Sequence, residues 1–92
     1  MYWTTGSGRI ELTITKKQAG IGSHPGDCES DVSYLRQLPS IRRQLAKLSP
    51  ELVAEELKEY GAWDSEELAD HDQNLTRLLW IACGDIRYGN HF

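Results

Sequence analysis

The sequence predicts a mainly helical α+β domain, in which a small N-terminal β-hairpin packs against three to four helices. Two patterns predict this class. Apolar and polar residues alternate over residues 9–15, as in a half-buried strand. From residue 27 onward, apolar residues instead recur at spacings of three and four, as on one face of a helix. Ninety-two residues support one modest core, so we expect a single domain over 1–92, with the hairpin in 1–15 and the helical part in 27–86.

The hairpin is expected where strand-forming residues flank a glycine-rich turn. Residues 2–5 supply the first strand, Gly6-Ser7-Gly8 supplies the turn, and Ile10, Leu12 and Ile14 share one face of the second strand. Residues 19–26 contain three glycines and a proline, which predicts a loop before the helices. An isolated hairpin is marginally stable in water, so this one must pack on the helical part.

The first helical stretch begins after Asp27, whose carboxylate can cap a helix. Its apolar positions are Cys28, Val32, Leu35 and Leu38, and the same phase continues through Ile41, Leu45 and Leu48. Pro39 disfavours helical geometry at Leu38, which predicts a break or kink there. One bent helix over 27–48 and two separate helices both agree with this pattern.

The next helix has clear start and stop signals. Ser49-Pro50-Glu51 combines a cap, a first-turn proline and a first-turn acid, and Gly61 suits the left-handed position after a helix end. Its expected buried stripe is Val53, Leu57 and Tyr60. Asp64 and Glu67 have capping-box spacing, so the final helix is expected to run from about Ser65 to Cys83 or Asp85. The expected stripe of that helix is Leu68, Leu75, Leu79, Ala82 and Ile86, with His71 and Leu78 at its edge.

Residues 78–83 are apolar on every side of the final helix. Such a segment is either central in the core or part of an interface. In the second case, Trp80 and Ile81 join Trp3 or Trp63 in a patch that binds a partner or closes a homodimer, because tryptophan is enriched at energetically dominant interface positions.

The net charge of −4 is concentrated in one part of the chain. Residues 51–72 contain nine acidic residues against Lys58 alone, whereas residues 1–50 contain seven Lys or Arg against four acids. Most of these acids are expected on a solvated helix face, which can steer a basic partner. A pI near 5.2 argues against direct nucleic-acid binding, although Arg36, Arg43 and Lys47 would align on one polar face of a continuous helix, with Arg42 beside them.

The sequence contains no apolar run long enough to span a bilayer and no export signal at its N-terminus, so we expect a cytoplasmic protein without a membrane role. Free thiols at Cys28 and Cys83 are the default in that compartment, and a single bridge between them is the alternative.

The sequence shows no recognisable catalytic constellation, and we expect no metal or cofactor. The alternative is a small metal-binding or Cys/His enzyme centred on the 24–28 loop, where His24 and Cys28 lie four residues apart. Zinc would need further ligands from His71, Cys83 or His91. No Cys-x-x-Cys pair exists, and the glycines fit neither the phosphate-binding nor the dinucleotide-binding pattern.

Three blocks, residues 22–28, 57–71 and 78–86, carry a resemblance to a family. The chain resembles small uncharacterised proteins encoded by bacterial phages and prophages, over about residues 10–86. The resemblance implies a bacterial host cell as the setting and a host protein as the partner, with a defence-system inhibitor of the anti-CRISPR type as one form. It transfers no catalytic residue.

Together these observations predict a non-enzymatic protein that binds a bacterial host protein and inhibits a defence or nucleic-acid-processing system. The expected partner-binding residues are acids and tryptophans of the two last helices: Glu55, Glu59, Trp63, Glu66, Glu67, Asp70 and Trp80. A homodimeric structural module closed by Trp80 and Ile81 is the further alternative.

Overall fold

The computed structural model describes residues 2–14 and 28–88, and it confirms the predicted fold class. Strands β1 (Tyr2–Thr4) and β2 (Glu11–Thr13) form an antiparallel hairpin. Four helices follow, with a short 3-10 turn before the last: α1 (Cys28–Gln37), α2 (Pro39–Ala46), α3 (Pro50–Glu59), the turn Glu67–Ala69, and α4 (His71–Tyr88). The predicted 19–26 loop and the Asp27 cap lie outside the described residues.

The hairpin is part of the core rather than an appendage. Trp3 pairs with Leu12 across the two strands, and both side chains are fully buried together with Ile10 and Ile14. At the turn, the Gly8 amide donates to the Thr5 carbonyl at 2.9 Å. Gly8 has φ +76°, a conformation that glycine adopts without steric cost.

The outer edge of β2 is closed by a side chain of α2. The Thr13 amide donates to Gln44 Oε1 at 2.6 Å, and Gln44 Nε2 donates to the Thr13 carbonyl at 3.0 Å. One amide side chain thus imitates a strand partner, which blunts an edge that would otherwise present unpaired backbone groups.

The break at Leu38 resolves the choice between one bent helix and two. Leu38 has extended geometry, φ −75° and ψ 128°, and Pro39 begins α2. This is the effect expected of proline on the residue before it. The buried residues on the two sides of the break are Val32 and Leu35 in α1 and Ile41 and Leu45 in α2. The apolar spacing therefore continues across the break, although the helix is interrupted.

Helix α3 begins and ends as predicted, but the prediction that Tyr60 is buried is wrong. The Leu52 amide donates to Ser49 Oγ at 3.1 Å, and Gly61 has φ +73°. Tyr60, expected in the core, is 42% exposed because α3 ends at Glu59 and Tyr60 only caps it. Glu56 occupies the buried face instead, at 1% exposure.

The predicted start of the last helix at Ser65 is also wrong. The Asp64–Glu67 capping box forms, since each backbone amide donates to the other's carboxylate at 2.9 and 3.3 Å. It closes only the 3-10 turn, because Asp70 is extended at φ −91° and ψ 104°. The carboxylate of Asp70 then accepts the Gln73 amide at 3.2 Å and starts α4 anew.

Helix α4 lies at the centre of the fold, in contact with α1, α3 and β1. Leu79 and Ala82 are fully buried as predicted, and Leu78, expected at the edge, is fully buried too. Leu68 is also buried, but it belongs to the 3-10 turn, and Leu75 is half-buried. The Ile86 side chain is not among those that the structure describes. Within residues 28–88, no helix has the length and apolarity needed to cross a membrane.

Candidate functional site

Trp80 is the most prominent apolar group on the outer side of α4. Its side chain is 43% exposed, although Leu79 beside it is fully buried. Thr76, Arg77 and Gly84 lie one helical turn away on the same face. A Cβ atom added at Gly84 would meet nothing within 4 Å, so the surface next to the indole is open.

Arg77 connects Trp63 to this face. Its guanidinium lies 5.5 Å from the centroid of the half-buried Trp63 ring, within the range of a cation–π contact. The same guanidinium Nη1 donates to the Glu67 carbonyl at 2.7 Å and to Asn74 Oδ1 at 3.0 Å. We call Trp63, Arg77 and Trp80 the tryptophan surface.

A buried amide supports this arrangement from below. The Asn74 side chain is 1% exposed, and its Nδ2 donates to the Leu68 carbonyl at 2.8 Å. The 3-10 turn is therefore held against α4 by Asn74 inside and by Arg77 outside. The Glu67 carbonyl and the Asn74 side chain therefore hold the Arg77 guanidinium in place without a binding partner.

Arg77 was not among the predicted binding residues. Its position three residues before Trp80 on a helix was a usable signal, because residues at that spacing are neighbours. Its contact with Trp63 was not predictable, since it depends on the path of the chain between α3 and α4.

Glu55 and Glu59 form a separate acidic cluster around Arg9 of the hairpin. Arg9 lies 3.2 Å from Glu55 and 4.0 Å from Glu59, while its Nε is 3.5 Å from the buried Glu56. One guanidinium therefore faces three carboxylates, and the cluster keeps a negative balance. Exposed ion pairs of this kind contribute little to stability, so Glu55 and Glu59 can exchange Arg9 for a basic partner.

Two of the three remaining predicted acids form hydrogen bonds that cap helices, and the third is exposed to solvent. Glu67 and Asp70 accept backbone amides at helix starts, as described above. Glu66 is exposed between them. The seven predicted residues thus divide into Glu55 and Glu59 on α3, the two tryptophans of the tryptophan surface, and three acids at the 3-10 turn: Glu66, Glu67 and Asp70. Trp3, considered for the same patch, is fully buried, which excludes it.

The alternative metal or Cys/His site falls mostly outside the described residues. His24, His91 and the Cys28 side chain are not described, so this alternative and the Cys28–Cys83 bridge stay predictions. Within the described part, no group of three or more His, Cys, Asp or Glu side chains is suited to a metal. His71 is half-buried, and its buried Nδ1 has no hydrogen-bond partner among the described atoms.

Comparison with known proteins adds no relative. No protein-family model, no curated protein and no solved structure matches this chain. The resemblance to phage proteins and the host-protein partner therefore stay predictions, and the functional argument rests on the surface just described.

Proposed function

We propose that this chain is a non-enzymatic binding domain that contacts a bacterial host protein through the tryptophan surface. The observation that carries the proposal is the 43% exposed indole of Trp80 on an otherwise well-packed helix. Solvent exposure of so large an apolar group has a cost that contact with a partner would remove. Tryptophan and arginine are also the residues most often found at the energetic centre of interfaces.

The hydrogen bonds of Arg77 favour this surface over the other exposed aromatic residues. Because Arg77 already has two partners and stacks on Trp63, binding would lose little side-chain entropy there. Trp80 lies beside this fixed group, one turn along α4. A rigid aromatic–arginine pair is a suitable anchor for a protein partner.

The negative charge of the chain favours a partner with a basic surface. Residues 51–72 contain nine acids and one lysine, and Glu55 and Glu59 keep a negative balance around Arg9. Such a field accelerates association with a basic surface. Proteins that bind nucleic acids carry basic surfaces. A nucleic-acid-processing or defence protein of the bacterial host is therefore the partner that we propose, and its inhibition in the cytoplasm is the proposed function, in line with the resemblance to phage and prophage proteins.

The experiment is a pull-down from bacterial lysate with the tagged chain, read out by mass spectrometry at low and high salt. We expect one host protein to be retained by the native chain and lost with Trp80→Ala and Arg77→Ala. The matched control is Tyr34→Ala, which removes a 46% exposed aromatic side chain from α1. Retention of the same protein by Trp80→Ala, or an empty eluate from the native chain, would reject the proposal.

Analytical ultracentrifugation of the same variants tests the homodimer alternative. If the native chain is a dimer and Trp80→Ala a monomer, the tryptophan surface binds a second copy and the host-partner proposal is wrong. A native chain that stays monomeric at high concentration removes the homodimer and leaves the surface available for a different protein.

A further inference from the structure

A groove with the opposite charge lies along α2. Two adjoining depressions share Arg42 and Ala46. The first has a volume of about 170 Å³, and its lining also includes Arg36 from α1, Leu45 of α2 and Leu75 of α4. The lining of the second also includes Pro39 and Arg43. We call this the basic groove: Arg36, Arg42, Arg43, Leu45, Ala46 and Leu75.

Two of the three arginines of the basic groove have no ionic partner among the described side chains. Arg36 is held by Asp72, with Nη2 at 2.6 Å from Oδ1 and Nη1 donating to the Asp72 carbonyl at 3.3 Å. Arg42 and Arg43 are exposed, form no ion pair within the described residues, and lie on a helix without a single acid. Among the described residues, two exposed positive charges therefore lie side by side on α2 without an acidic partner.

The basic groove and the tryptophan surface lie on different sides of α4. Leu75 in the lining of the groove and Trp80 are five positions apart, which separates them by about 140° around a helix of about 3.6 residues per turn. A ligand in the groove therefore does not occupy the tryptophan surface, and both can be filled at once.

The chemistry of the groove identifies its occupant. Arginine pairs with carboxylates through two parallel hydrogen bonds, and Arg36 is already oriented by its contact with Asp72. Leu45, Ala46 and Leu75 supply the apolar part of the lining, and the volume of about 170 Å³ admits an aliphatic side chain. Among the described residues, the lining contains no aromatic ring on which a nucleobase could stack, whereas sites for single-stranded nucleic acids provide such rings.

We propose that the basic groove binds an acidic protein segment in which carboxylates flank one aliphatic side chain. The carboxylates pair with Arg42 and Arg43, and the aliphatic side chain enters the depression over Leu45 and Leu75. The chain then joins two partners, one basic and one acidic, on opposite sides of α4. This inference does not depend on the proposed function, because it uses other residues.

The test uses the full chain and a short synthetic peptide with one leucine between pairs of glutamates. Titration is followed by the backbone amide signals in two-dimensional NMR. We expect salt-sensitive shifts at Arg42, Ala46 and Leu75. Two control peptides, with glutamine for glutamate or alanine for leucine, should each bind at least about tenfold more weakly, since each lacks one of the two required contacts.

Two charge reversals provide the matched comparison. Arg42→Glu should weaken peptide binding at least about tenfold, whereas Lys58→Glu, an equal charge change on the exposed side of α3, should change it less than about twofold. Trp80→Ala should leave it unchanged. Circular dichroism melts confirm that each variant folds.

Four outcomes would overturn the proposal. The groove amides do not shift up to the solubility limit of the peptide; Lys58→Glu weakens binding as much as Arg42→Glu; the glutamine peptide binds as well as the acidic one; or a single-stranded oligonucleotide binds the groove more tightly than the peptide. The last outcome would identify the groove as a nucleic-acid site. None of these results bears on the tryptophan surface.

Discussion

The indole Nε1 of Trp3 donates a hydrogen bond of 2.7 Å to Oδ2 of Asp85, which joins the first strand to the last helix across 82 positions. The Trp3 ring is fully buried among the core residues, so its polar edge needs a partner. The Asp85 carboxylate satisfies it. The hairpin is thus fixed to α4 through β1, while Gln44 of α2 closes the outer edge of β2.

The first prediction concerns this hydrogen bond. A double-mutant cycle of Trp3→Phe and Asp85→Ala should give a coupling energy of about 1–2 kcal/mol, because a hydrogen bond to a charged acceptor is stronger than a neutral one. Urea denaturation of the four proteins measures it. The cycle cancels the cavity left by the smaller ring and any other contact of Asp85. A coupling below about 0.3 kcal/mol would show that the bond contributes nothing to stability.

The second prediction concerns Glu56, the one buried carboxylate of α3. Its Oε1 accepts from Ser7 Oγ at 2.5 Å and lies 3.5 Å from Arg9 Nε, so α3 holds the hairpin turn. Glu56→Ala should lower the free energy of unfolding by about 1–3 kcal/mol, since Ser7 loses its acceptor and Arg9 its closest buried partner. Glu55→Ala, one position away on the exposed face, should cost about 0.5 kcal/mol or less. Equal losses in the two variants would contradict the burial of Glu56.

Much of the fold was predictable because its signals are local. The alternation of Ile10, Leu12 and Ile14, the proline at residue 39 and the Ser49 cap each act within a few residues, and each has the predicted effect. The start of α4 was not predicted, because two competing caps occur in sequence. The Asp64–Glu67 box forms first, but Asp70 forms a second cap and leaves only a 3-10 turn between them.

The candidate site was less predictable because it depends on long-range contacts. Helical spacing places Glu56 beside the apolar stripe and Glu55 on the opposite side, but the groups that satisfy the buried Glu56 carboxylate, Ser7 and Arg9, come from the distant hairpin. The contact between Arg77 and Trp63 likewise depends on the chain path around Gly61. Trp80 could be selected from sequence as a surplus apolar residue and Arg77 as its neighbour on the helix, whereas the contact of Arg77 with Trp63 could not.

A third prediction separates the two faces of α4 at adjacent residues. Leu79→Ala should lower the free energy of unfolding by about 2–5 kcal/mol, because Leu79 is fully buried and its truncation leaves a cavity. Trp80→Ala should cost about 1 kcal/mol or less, since its side chain is partly in solvent. Chemical denaturation of both variants provides the comparison. If Trp80→Ala lowers the free energy of unfolding more than Leu79→Ala does, Trp80 belongs to the core and not to the tryptophan surface.

A fourth prediction follows from the raised pKa of the Tyr60 phenol. Partial burial of the phenol is the main cause of the raised pKa, and a hydrogen bond with the Gly6 backbone opposes it. Nearby carboxylates, Asp85 first among them, raise the pKa further. The folded state therefore keeps the phenol proton to higher pH than the unfolded state does. Stability from this residue is complete below the ordinary tyrosine pKa of about 10 and is lost as pH rises through the higher folded value.

The control for this pH effect is Tyr60→Phe, which removes the titrating group and keeps the ring. Melting temperatures measured across the alkaline range should fall less steeply for Tyr60→Phe than for the native chain. Lysine deprotonation affects both proteins alike and cancels in the difference. Parallel curves would contradict the shift.

The last prediction concerns Asp70, which was expected to bind the partner but also starts α4. Its carboxylate accepts the Gln73 amide at 3.2 Å, so Asp70→Ala should lower the free energy of unfolding by about 1 kcal/mol. Asp70→Asn retains a capping oxygen and should change stability by a few tenths of a kcal/mol at most, while it removes the charge. Binding of the host protein by Asp70→Asn then isolates the contribution of the charge. If Asp70 serves only as a cap, Asp70→Asn binds like the native chain, and Asp70→Ala binds less only to the extent that the first turn of α4 frays. Lower affinity of Asp70→Asn at unchanged stability would instead show that the Asp70 carboxylate contributes to the interface.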